Sequence, residues 1–260
     1  MDVRGMLIDI DGVLVVSWSP IPGAPEGLAR LREAGIQIRL ATNTTTRTRA
    51  EISASLREAG MEVDSEEIVT APVATGAYLR RHHPGVRCLL LNEGDISQDL
   101  PGVELVTSGT ADVVVIGGAG PSFTYRALNT AFRALMEGAS LVVMHRNLYW
   151  LTDAGWQLDG GGFVGALEES AGVEAILVGK PAPEFFAAAL DEMGLSAGEA
   201  VMVGDDVVND VLGAQACGLT GLLVRTGKFR PEALEGIPAP PDVIVDSIAD
   251  VPSWLDSLAS

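Results

Sequence analysis

The sequence predicts an α/β protein whose core is a doubly wound parallel sheet. Short apolar runs typical of buried strands alternate with longer runs whose apolar spacing is typical of helices, as at Met6–Ile10 and Pro25–Ala34. Such alternation indicates strand–helix–strand units, which build parallel sheets. A second alternating block separates the two halves of this pattern. We therefore expect a parallel-sheet core with an inserted α/β domain.

The first part of the predicted core contains two strand–helix pairs. Met6–Ile10 and Pro25–Ala34 form the first pair, and Ile36–Ala41 and Thr48–Ala59 form the second. A glycine follows each helix, where a residue in the left-handed conformation commonly ends one.

The last part of the chain continues the same pattern. Its predicted strands and helices are the strands Ala200–Val203, Gly221–Val224 and Val243–Val245 and the helices Pro183–Met193 and Val208–Ala216. We expect these strands to join the first two in one sheet.

The block between these halves is long enough to bury a core of its own. Its predicted elements are the strands Val86–Leu91, Asp112–Ile116 and Leu141–Met144 and the helix Tyr125–Met136. We expect residues 71–170 to form an inserted domain, and residues 1–70 and 171–260 to form the core.

Composition narrows the class of protein. The net charge of −18 argues against nucleic acid as a partner, because no basic surplus exists to neutralise phosphates. No apolar stretch reaches the roughly 18 residues that a membrane span needs. The start of the chain does not resemble a secretory signal segment. The two cysteines, Cys88 and Cys217, lie in apolar segments far apart, as expected of reduced thiols in a cytoplasmic protein; a disulfide between them is the alternative.

Two aspartates, Asp9 and Asp11, stand at the end of the first predicted strand. Carboxylates this close repel each other, so a cation or a proton is expected to offset the repulsion. Gly12 lets the backbone turn away, and a simple turn is the alternative interpretation. A calcium loop is excluded because Val13 and Pro20 occupy positions that should supply oxygen ligands.

Three further polar segments lie beside predicted strand ends. They are Leu40-Ala-Thr-Asn43, Val178-Gly-Lys-Pro181 and Val203-Gly-Asp-Asp-Val-Val-Asn-Asp210. Each alone could be a helix cap or a loop. In a doubly wound sheet, however, ligands bind at the carboxyl ends of the strands. We therefore expect all these segments to meet Asp9 and Asp11 in one crevice.

In this order, the polar segments resemble the sequence motifs of the haloacid dehalogenase-like hydrolases. The likeness is carried by Asp9-Ile-Asp-Gly-Val-Leu14, by Thr42-Asn43, by Lys180-Pro181 and by Gly204-Asp-Asp with Asp210. The inserted block resembles the α/β cap of the NagD-type subfamily. The resemblance implies a Rossmann-like core and a cap domain of the C2 type.

The resemblance also implies phosphoryl transfer by a covalent route. Asp9 would attack phosphorus and form an aspartyl-phosphate, and Asp11 would act as general acid and then as general base. Lys180 would offset charge between Asp9 and the phosphate, while Thr42 and Asn43 would donate hydrogen bonds to phosphoryl oxygens. Family members that cleave carbon–halogen bonds lack the second aspartate, so Asp11 favours a phosphatase.

Mg²⁺ is the cofactor that the resemblance implies. Its ligands would be the carboxylate of Asp9, the main-chain carbonyl of Asp11 and the carboxylate of Asp205. Asp210 would not contact the metal directly but would hold a metal-bound water molecule or Lys180. Oxygen ligands of this kind suit a hard cation.

The segment His145–Trp150, followed by Asp153–Trp156, is the expected substrate-facing part of the block. His145 and Asn147 follow a strand, where polar loop residues can reach a site; a surface turn is the alternative for His145. Arg47 could bind a second anionic group or be a solvated side chain. For the two tryptophans, packing within a β-hairpin is the favoured interpretation.

Gly117-Gly-Ala-Gly120 follows a strand and precedes a helix, as a dinucleotide-binding loop does. It lacks the third glycine at the required offset. We therefore expect a tight turn here rather than a nucleotide site.

The sequence thus predicts a cytoplasmic, Mg²⁺-dependent phosphatase that acts on a small phosphorylated substrate. Phosphosugars, nucleotides, phosphoamino acids and pyrophosphate are all candidates. A phosphomutase on the same core and a phospho-accepting signalling domain are the alternatives. A homodimer through the cap is a further expectation, and neither nucleic acid nor a membrane is an expected partner.

Overall fold

The computed structural model describes residues 2–107, 109–152 and 155–258. Its strands are β1 Gly5–Asp9, β2 Val15–Val16, β3 Ser19–Pro20, β4 Gln37–Thr42, β5 Ile68–Thr70, β6 Arg87–Leu91, β7 Glu104–Val106, β8 Val113–Ile116, β9 Ser140–Val143, β10 Tyr149–Thr152, β11 Gly155–Leu158, β12 Ile176–Leu177, β13 Ala200–Gly204, β14 Thr220–Val224 and β15 Val243–Val245. Its helices are α1 Ala24–Glu33, α2 Arg49–Glu58, α3 Ala71–His82, α4 Tyr125–Met136, α5 Gly160–Ala171, α6 Pro183–Met193, α7 Gly213–Ala216 and α8 Val251–Leu258. In the described part of the chain, no helix combines the length and apolarity that crossing a membrane would require.

Among the described residues, the core sheet contains six strands in the order β15-β14-β13-β1-β4-β5. Strand β1 pairs in parallel with β13 on one side and with β4 on the other. The chain runs outward from β1 through β4 to β5, then returns to β13 and runs outward on the other side. Strand order therefore reverses between β1 and β13, which is where open α/β sheets form their ligand crevice.

Both faces of this sheet are covered. Met6 and Ile8 of β1 pack in one cluster with Leu28 of α1 and Ile52 of α2. Leu7 lies between them in sequence, so its side chain points to the opposite face, and it too is fully buried. A strand buried on both faces needs the continuous apolar run that the sequence has here. The predicted α/β fold class is confirmed.

The chain folds as two compact units. The first consists of Met1–Thr42, Arg49–Val69 and Lys180–Ser260, and the second of Asn43–Thr48 and Thr70–Gly179. As far as it is described, the second unit has a parallel sheet of its own in the order β12-β9-β8-β6-β7. Its core cluster lies between that sheet and the helices α4 and α5.

Most predicted elements occur where the sequence places them. Tyr125–Met136, Pro183–Met193 and Val243–Val245 match residue for residue, and most others agree within one residue at each end. The helix predicted over Val208–Ala216 is wrong in its first half, because Val207–Leu212 is a π-helical turn and α-helix begins only at Gly213. Strands β2, β3, β5, β7 and β12 and helices α3, α5 and α8 were not predicted from the sequence.

The two phenylalanines at the start of α6 provide a test of the packing of the first unit. Phe185 and Phe186 are fully buried, with ring centroids 5.9 Å apart in an edge-to-face arrangement. We expect Phe185→Ala to lower the free energy of unfolding by about 3–5 kcal/mol, because it leaves a cavity in a packed layer. Urea denaturation would measure the change.

The control for this substitution is Val16→Ala in the same unit, since Val16 is 53% exposed. It should stay within about 0.5 kcal/mol of wild type. Equal losses in the two variants would contradict the packing described for α6.

Candidate active site

The predicted site residues of the first unit gather at the carboxyl ends of three neighbouring strands. Asp9 is the last residue of β1, Thr42 is the last residue of β4, and Asp205 follows β13 directly. Because β4, β1 and β13 are adjacent and parallel, these ends lie at one edge of the sheet. Asp9 and Thr42 are both buried.

A buried lysine connects two of the acids. The Nζ atom of Lys180 donates to Asp9 Oδ1 at 2.8 Å, to Asp210 Oδ1 at 2.7 Å and to the carbonyl oxygen of Ala41 at 3.0 Å. Burial favours the neutral amine, but the negative charges of Asp210 and Asp9 outweigh it and hold the pKa of Lys180 above its ordinary value. The lysine is therefore charged and fixed in three directions.

The carboxylates nevertheless outnumber the positive charge buried with them. Among the described residues, oxygen atoms of Asp9, Asp205 and Asp210 lie within 4.8 Å of one another. Burial raises the pKa of all three carboxyls, to about 6 for Asp205 and to about 7 for Asp210. The three carboxyls thus share one buried ammonium group, and the cluster has an excess of acidic groups over cations.

Asp205 supplies the observation that bears most directly on a metal. Its Oδ2 atom accepts a hydrogen bond from the backbone amide of Lys228 at 2.6 Å. Its Oδ1 atom is buried and has no hydrogen-bond partner within the described structure. A buried carboxylate oxygen is costly without a partner. An unpaired oxygen among clustered carboxylates fits Mg²⁺, which prefers hard oxygen ligands.

The acidic loop after β13 is shaped by the π-helical turn. Asp206 caps this turn, since its Oδ1 atom accepts from the amides of Val208 at 3.0 Å and Asn209 at 2.9 Å. Asp210 Oδ2 in turn accepts from the amide of Asp206 at 3.2 Å. Both oxygens of Asp210 are therefore engaged, one by Lys180 and one by the backbone.

Asp11 differs from Asp9 in its surroundings. Asp11 lies just beyond β1 and is exposed to solvent. Its backbone forms an isolated β-bridge with Val15. Gly12 follows at φ +91°, and a Cβ at that position would run into the carboxylate of Asp205. The turn thus holds the exposed Asp11 two residues from the buried Asp9.

Four predicted site residues belong to the second unit. Asn43 and Arg47 are half-buried, and Asn147 is exposed. His145 is only 4% exposed. Its Nδ1 atom accepts from the amide of Asn147 at 3.3 Å, and its Nε2 atom lies 3.9 Å from Asp159 Oδ1. Burial lowers the pKa of His145 and Asp159 opposes that shift. The side chain of His145 is thus buried rather than solvated, with Asn147 and Asp159 as its neighbours.

The predicted hairpin is present. Strands β10 and β11 pair antiparallel, and the ring of Trp156 meets that of Tyr149 edge-to-face at 5.3 Å. Asp153 and Ala154, named with the expected substrate-facing segment, lie outside the described residues.

The glycine-rich loop after β8 is a closed turn. The amide of Gly118 donates to Thr45 Oγ1 at 2.9 Å and to Asn92 Oδ1 at 3.1 Å, and the amide of Ala119 donates to Asp159 Oδ1 at 3.0 Å. These amides are the groups that would hold a pyrophosphate in a dinucleotide-binding loop. They are occupied by side chains of the second unit, in agreement with the predicted turn.

Comparison with known proteins places this architecture in a family. The family model described as haloacid dehalogenase-like hydrolase matches residues 6–105, and the one described as HAD-hydrolase-like matches residues 177–251. Human phospholysine phosphohistidine inorganic pyrophosphate phosphatase is 39% identical over 254 residues, covering 95% of this chain and 92% of the relative. Human haloacid dehalogenase-like hydrolase domain-containing protein 2 is 38% identical over 245 residues, covering 94% and 93%.

The chain belongs to the haloacid dehalogenase-like hydrolases. It is a phosphatase of that family.

Solved structures agree with this family assignment. A p-nitrophenyl phosphatase from Archaeoglobus fulgidus superposes with a TM-score of 0.90 at 31% identity, covering 98% of this chain and 100% of that one. NagD from E. coli K-12 gives 0.88 at 27%, with coverages of 96% and 98%. A glycerol phosphate phosphatase from Mycobacterium tuberculosis, solved in complex with magnesium, gives 0.86 at 28%, with coverages of 95% and 75%.

The structure adds one segment of the hydrolase to which the sequence assigned no role. Thr226-Gly227-Lys228 follows β14 and contacts both the Gly12 turn and Asp205. The available signal was weak: Lys228 is one of two lysines in the chain and stands after a predicted strand end. Its contact with Asp205 uses a backbone amide, which no side-chain pattern reveals.

The raised pKa values of the acidic cluster predict an unusual pH dependence of stability. Asp205 and Asp210 have pKa values of about 6 and about 7 in the folded hydrolase, against 3.8 ordinarily. Between these limits the two carboxyls bind more protons in the folded state than in the unfolded state, so their contribution to stability falls as pH rises. We expect the melting temperature of metal-free protein to fall between about pH 4 and about pH 7, and Mg²⁺ to oppose the fall most at the higher pH.

Thermal melts in EDTA and in Mg²⁺ across this range would measure the effect. Asp205→Asn should flatten the metal-free curve, whereas Asp246→Asn, at an exposed surface carboxylate, should leave it unchanged. Parallel curves for wild type and Asp205→Asn would show that the cluster does not titrate in this way.

Proposed function

We propose that this phosphatase is Mg²⁺-dependent and hydrolyses a small phosphorylated metabolite through an aspartyl-phosphate on Asp9. The observation that carries the proposal is the buried Lys180–Asp9 contact beside the carboxylate of Asp205, whose Oδ1 atom lacks a partner in the described structure. Phosphoryl transfer uses a positioned nucleophile, a cation that balances charge and oxygen ligands for a metal, and Asp9, Lys180 and Asp205 could supply these in turn.

Asp9 is the proposed nucleophile. Lys180 holds its Oδ1 atom at 2.8 Å, and we assign attack on phosphorus to Oδ2. A new bond from Oδ2 to phosphorus forms as the bond from phosphorus to the leaving oxygen breaks. Lys180 keeps the carboxylate oriented and balances negative charge as the phosphoryl group approaches. Thr42 and Asn43 are the proposed donors to the phosphoryl oxygens.

Asp11 is the proposed general acid and base. Its exposed position differs from that of the buried Asp9, so it can exchange protons with solvent and with a departing group. In the first step it gives a proton to the leaving oxygen. In the second it takes a proton from the water that attacks phosphorus and releases Asp9.

Asp9, Asp205 and the main-chain carbonyl of Asp11 are the proposed ligands of Mg²⁺. When bound, Mg²⁺ supplies positive charge that neutralises the phosphoryl oxygens and the clustered carboxylates. Asp210 serves a different purpose in this proposal, because Lys180 and the Asp206 amide already engage its two oxygens. It keeps Lys180 in place.

Residues 71–170, which lie within the second unit, are the proposed cap. A cap closes over the crevice, excludes water and contacts the leaving group. Arg47, His145 and Asn147 are proposed contributors to substrate binding. Since His145 is buried beside Asp159, we assign it the shaping of the loop that ends at the exposed Asn147.

The substrate class follows from the charge and from the relatives. A chain of net charge −18 disfavours large polyanions, whereas one phosphate can be neutralised locally. The relatives' names include phospholysine, phosphohistidine, pyrophosphate, p-nitrophenyl phosphate and glycerol phosphate. We propose a small cytoplasmic phosphate compound, tested with a panel that spans these classes.

The first experiment measures phosphate release across that panel, with EDTA and with Mg²⁺. We expect Mg²⁺-dependent turnover that Asp9→Asn abolishes, because the amide cannot form the intermediate. Turnover by Asp9→Asn equal to wild type would refute the nucleophile. Transfer of phosphate to another hydroxyl without release would point to the mutase alternative, and a phosphorylated enzyme that persists for long periods would point to the signalling alternative.

Asp11→Asn should separate the two chemical steps. With p-nitrophenyl phosphate the leaving group needs no proton, so Asp9 should still be phosphorylated while hydrolysis slows about 10²–10⁴-fold. Mass spectrometry of quenched reactions should then show phosphorylated Asp9 accumulating. Asp246→Asn is the control, since it makes the same chemical change at an exposed site. Absence of any accumulation in Asp11→Asn would contradict its assignment as the base.

Pairing of two chains through the cap stays a prediction. The β10–β11 hairpin exposes the side chains of Tyr149, Trp156 and Leu158 on one face. Light scattering would give the mass in solution, and Trp156→Ser should weaken any dimer that uses this face. An unchanged mass for Trp156→Ser would exclude the hairpin as the contact.

A further inference from the structure

The segment Thr226-Gly227-Lys228 joins two loops that come from distant parts of the chain. The hydroxyl of Thr226 donates to the carbonyl oxygen of Gly12 at 2.5 Å. Two residues later, the amide of Lys228 donates to Asp205 Oδ2 at 2.6 Å. One short segment thus holds the turn that carries Asp9 and Asp11 and also holds the carboxylate of Asp205.

The packing around Gly227 shows how closely these parts fit. Gly227 has φ +59°, in the left-handed region that glycine adopts without strain. A Cβ at Gly227 would meet the carboxylate of Asp205 and the Cα atom of Gly12, and a Cβ at Gly12 would meet the same carboxylate. The carboxylate therefore packs against two glycines, neither of which has room for a side chain.

The hydrogen bond from the Lys228 amide also gives the two carboxylate oxygens of Asp205 different surroundings. Oδ2 is used by the amide, and Oδ1 is buried without a partner in the described part of the chain. A metal ligand is commonly oriented by a hydrogen bond to its other polar atom, and loss of that bond weakens metal binding. The geometry at Asp205 has this arrangement.

We propose that Thr226-Gly227-Lys228 is a positioning element that fixes Asp205 for Mg²⁺ and ties it to the nucleophile turn. Thr226 acts through its hydroxyl on Gly12, and Lys228 acts through its backbone amide on Asp205. The inference rests on the proposed function, because it assumes that Asp205 is a metal ligand. It assigns to this phosphatase a part of the site outside its four sequence motifs.

The side chain of Lys228 has a separate effect, opposite in sign. Its Nζ atom lies 4.0 Å from Asp206 Oδ2, and its pKa is raised because the negative charges of Asp9, Asp205, Asp206 and Asp210 outweigh its partial desolvation. An ammonium group so near the acids repels an incoming cation. Removing it should therefore leave Mg²⁺ binding as tight as in wild type or tighter, whereas disturbing the backbone should weaken it.

The test is calorimetric titration of metal-free protein with Mg²⁺. Thr226→Val should bind Mg²⁺ about tenfold more weakly than wild type, and Thr226→Ser, which keeps the hydroxyl, should stay within about twofold. Lys228→Met keeps the amide and should not weaken binding. Thr130→Val is the control, since within the described residues the Thr130 hydroxyl donates to the Arg126 carbonyl of its own helix α4.

A second measurement separates positioning from general damage. The Mg²⁺ concentration for half-maximal phosphatase activity should rise in Thr226→Val, while kcat at saturating Mg²⁺ stays near wild type. If Thr226→Val does not fold, Thr226→Ala takes its place, because it removes the hydroxyl that bonds the Gly12 carbonyl and adds no atoms to the packed segment.

The outcomes distinguish this inference from the proposed function. Failure of wild type to bind Mg²⁺, or equal binding by wild type and Asp205→Asn, would overturn the metal site and with it the positioning element. Tight binding by wild type, weak binding by Asp205→Asn and unchanged binding by Thr226→Val would overturn the positioning element alone. Weak binding by Lys228→Met with unchanged binding by Thr226→Val would show that the side chain acts and the backbone does not.

Discussion

The buried contact of Lys180 with Asp9 and Asp210 is the interaction on which the rest of the site depends. Its three hydrogen bonds join the end of β1, the end of β4 and the π-helical turn after β13. Removing one partner of a buried ion pair costs about 3–5 kcal/mol, because the other charge stays buried and uncompensated. Movement of any one of these three segments would therefore break a hydrogen bond of Lys180 and leave a charge buried without its partner. This coupling fixes the proposed nucleophile before any substrate arrives.

The same contact leaves the site with more acidic groups than positive charges. That excess explains why the site also needs a partner for Asp205. Lys180 donates hydrogen bonds to Asp9 and Asp210, whereas burial raises the pKa of Asp205 to about 6 even though the charge of Lys180 opposes that rise. A buried carboxylate with an unpaired oxygen is costly in a folded protein unless a partner compensates it. A divalent cation held by Asp9 and Asp205 would offset the excess of negative charge and would give the unpaired oxygen of Asp205 a partner. The lysine and the proposed metal thus divide the task of balancing the acids.

Much of this could be predicted from the sequence, because strand ends in a buried parallel sheet are marked by a change from apolar to polar residues. That signal located Asp9, Thr42 and Asp205 within a residue of the observed ends. It failed where structure comes from tertiary contacts. Helix α5 begins with three glycines, which are poor helix formers, and is held instead by the Asp159 cap and by close packing against the backbone of the 146–147 segment. The π-helical turn was missed because the apolar spacing of an α-helix resembles it over so few residues.

The burial of His145 and the contact between Lys228 and Asp205 illustrate a more general limit. Residue type predicts what a side chain can do, but not whether the fold leaves it facing solvent or turns it inward, as it does for His145. Backbone amides are present at every residue except proline, so a site that uses one leaves no side-chain pattern. The acidic residues of this phosphatase can be located from the sequence because clustered carboxylates are unusual at a strand end. The groups that orient them are ordinary, and only the three-dimensional arrangement makes them specific.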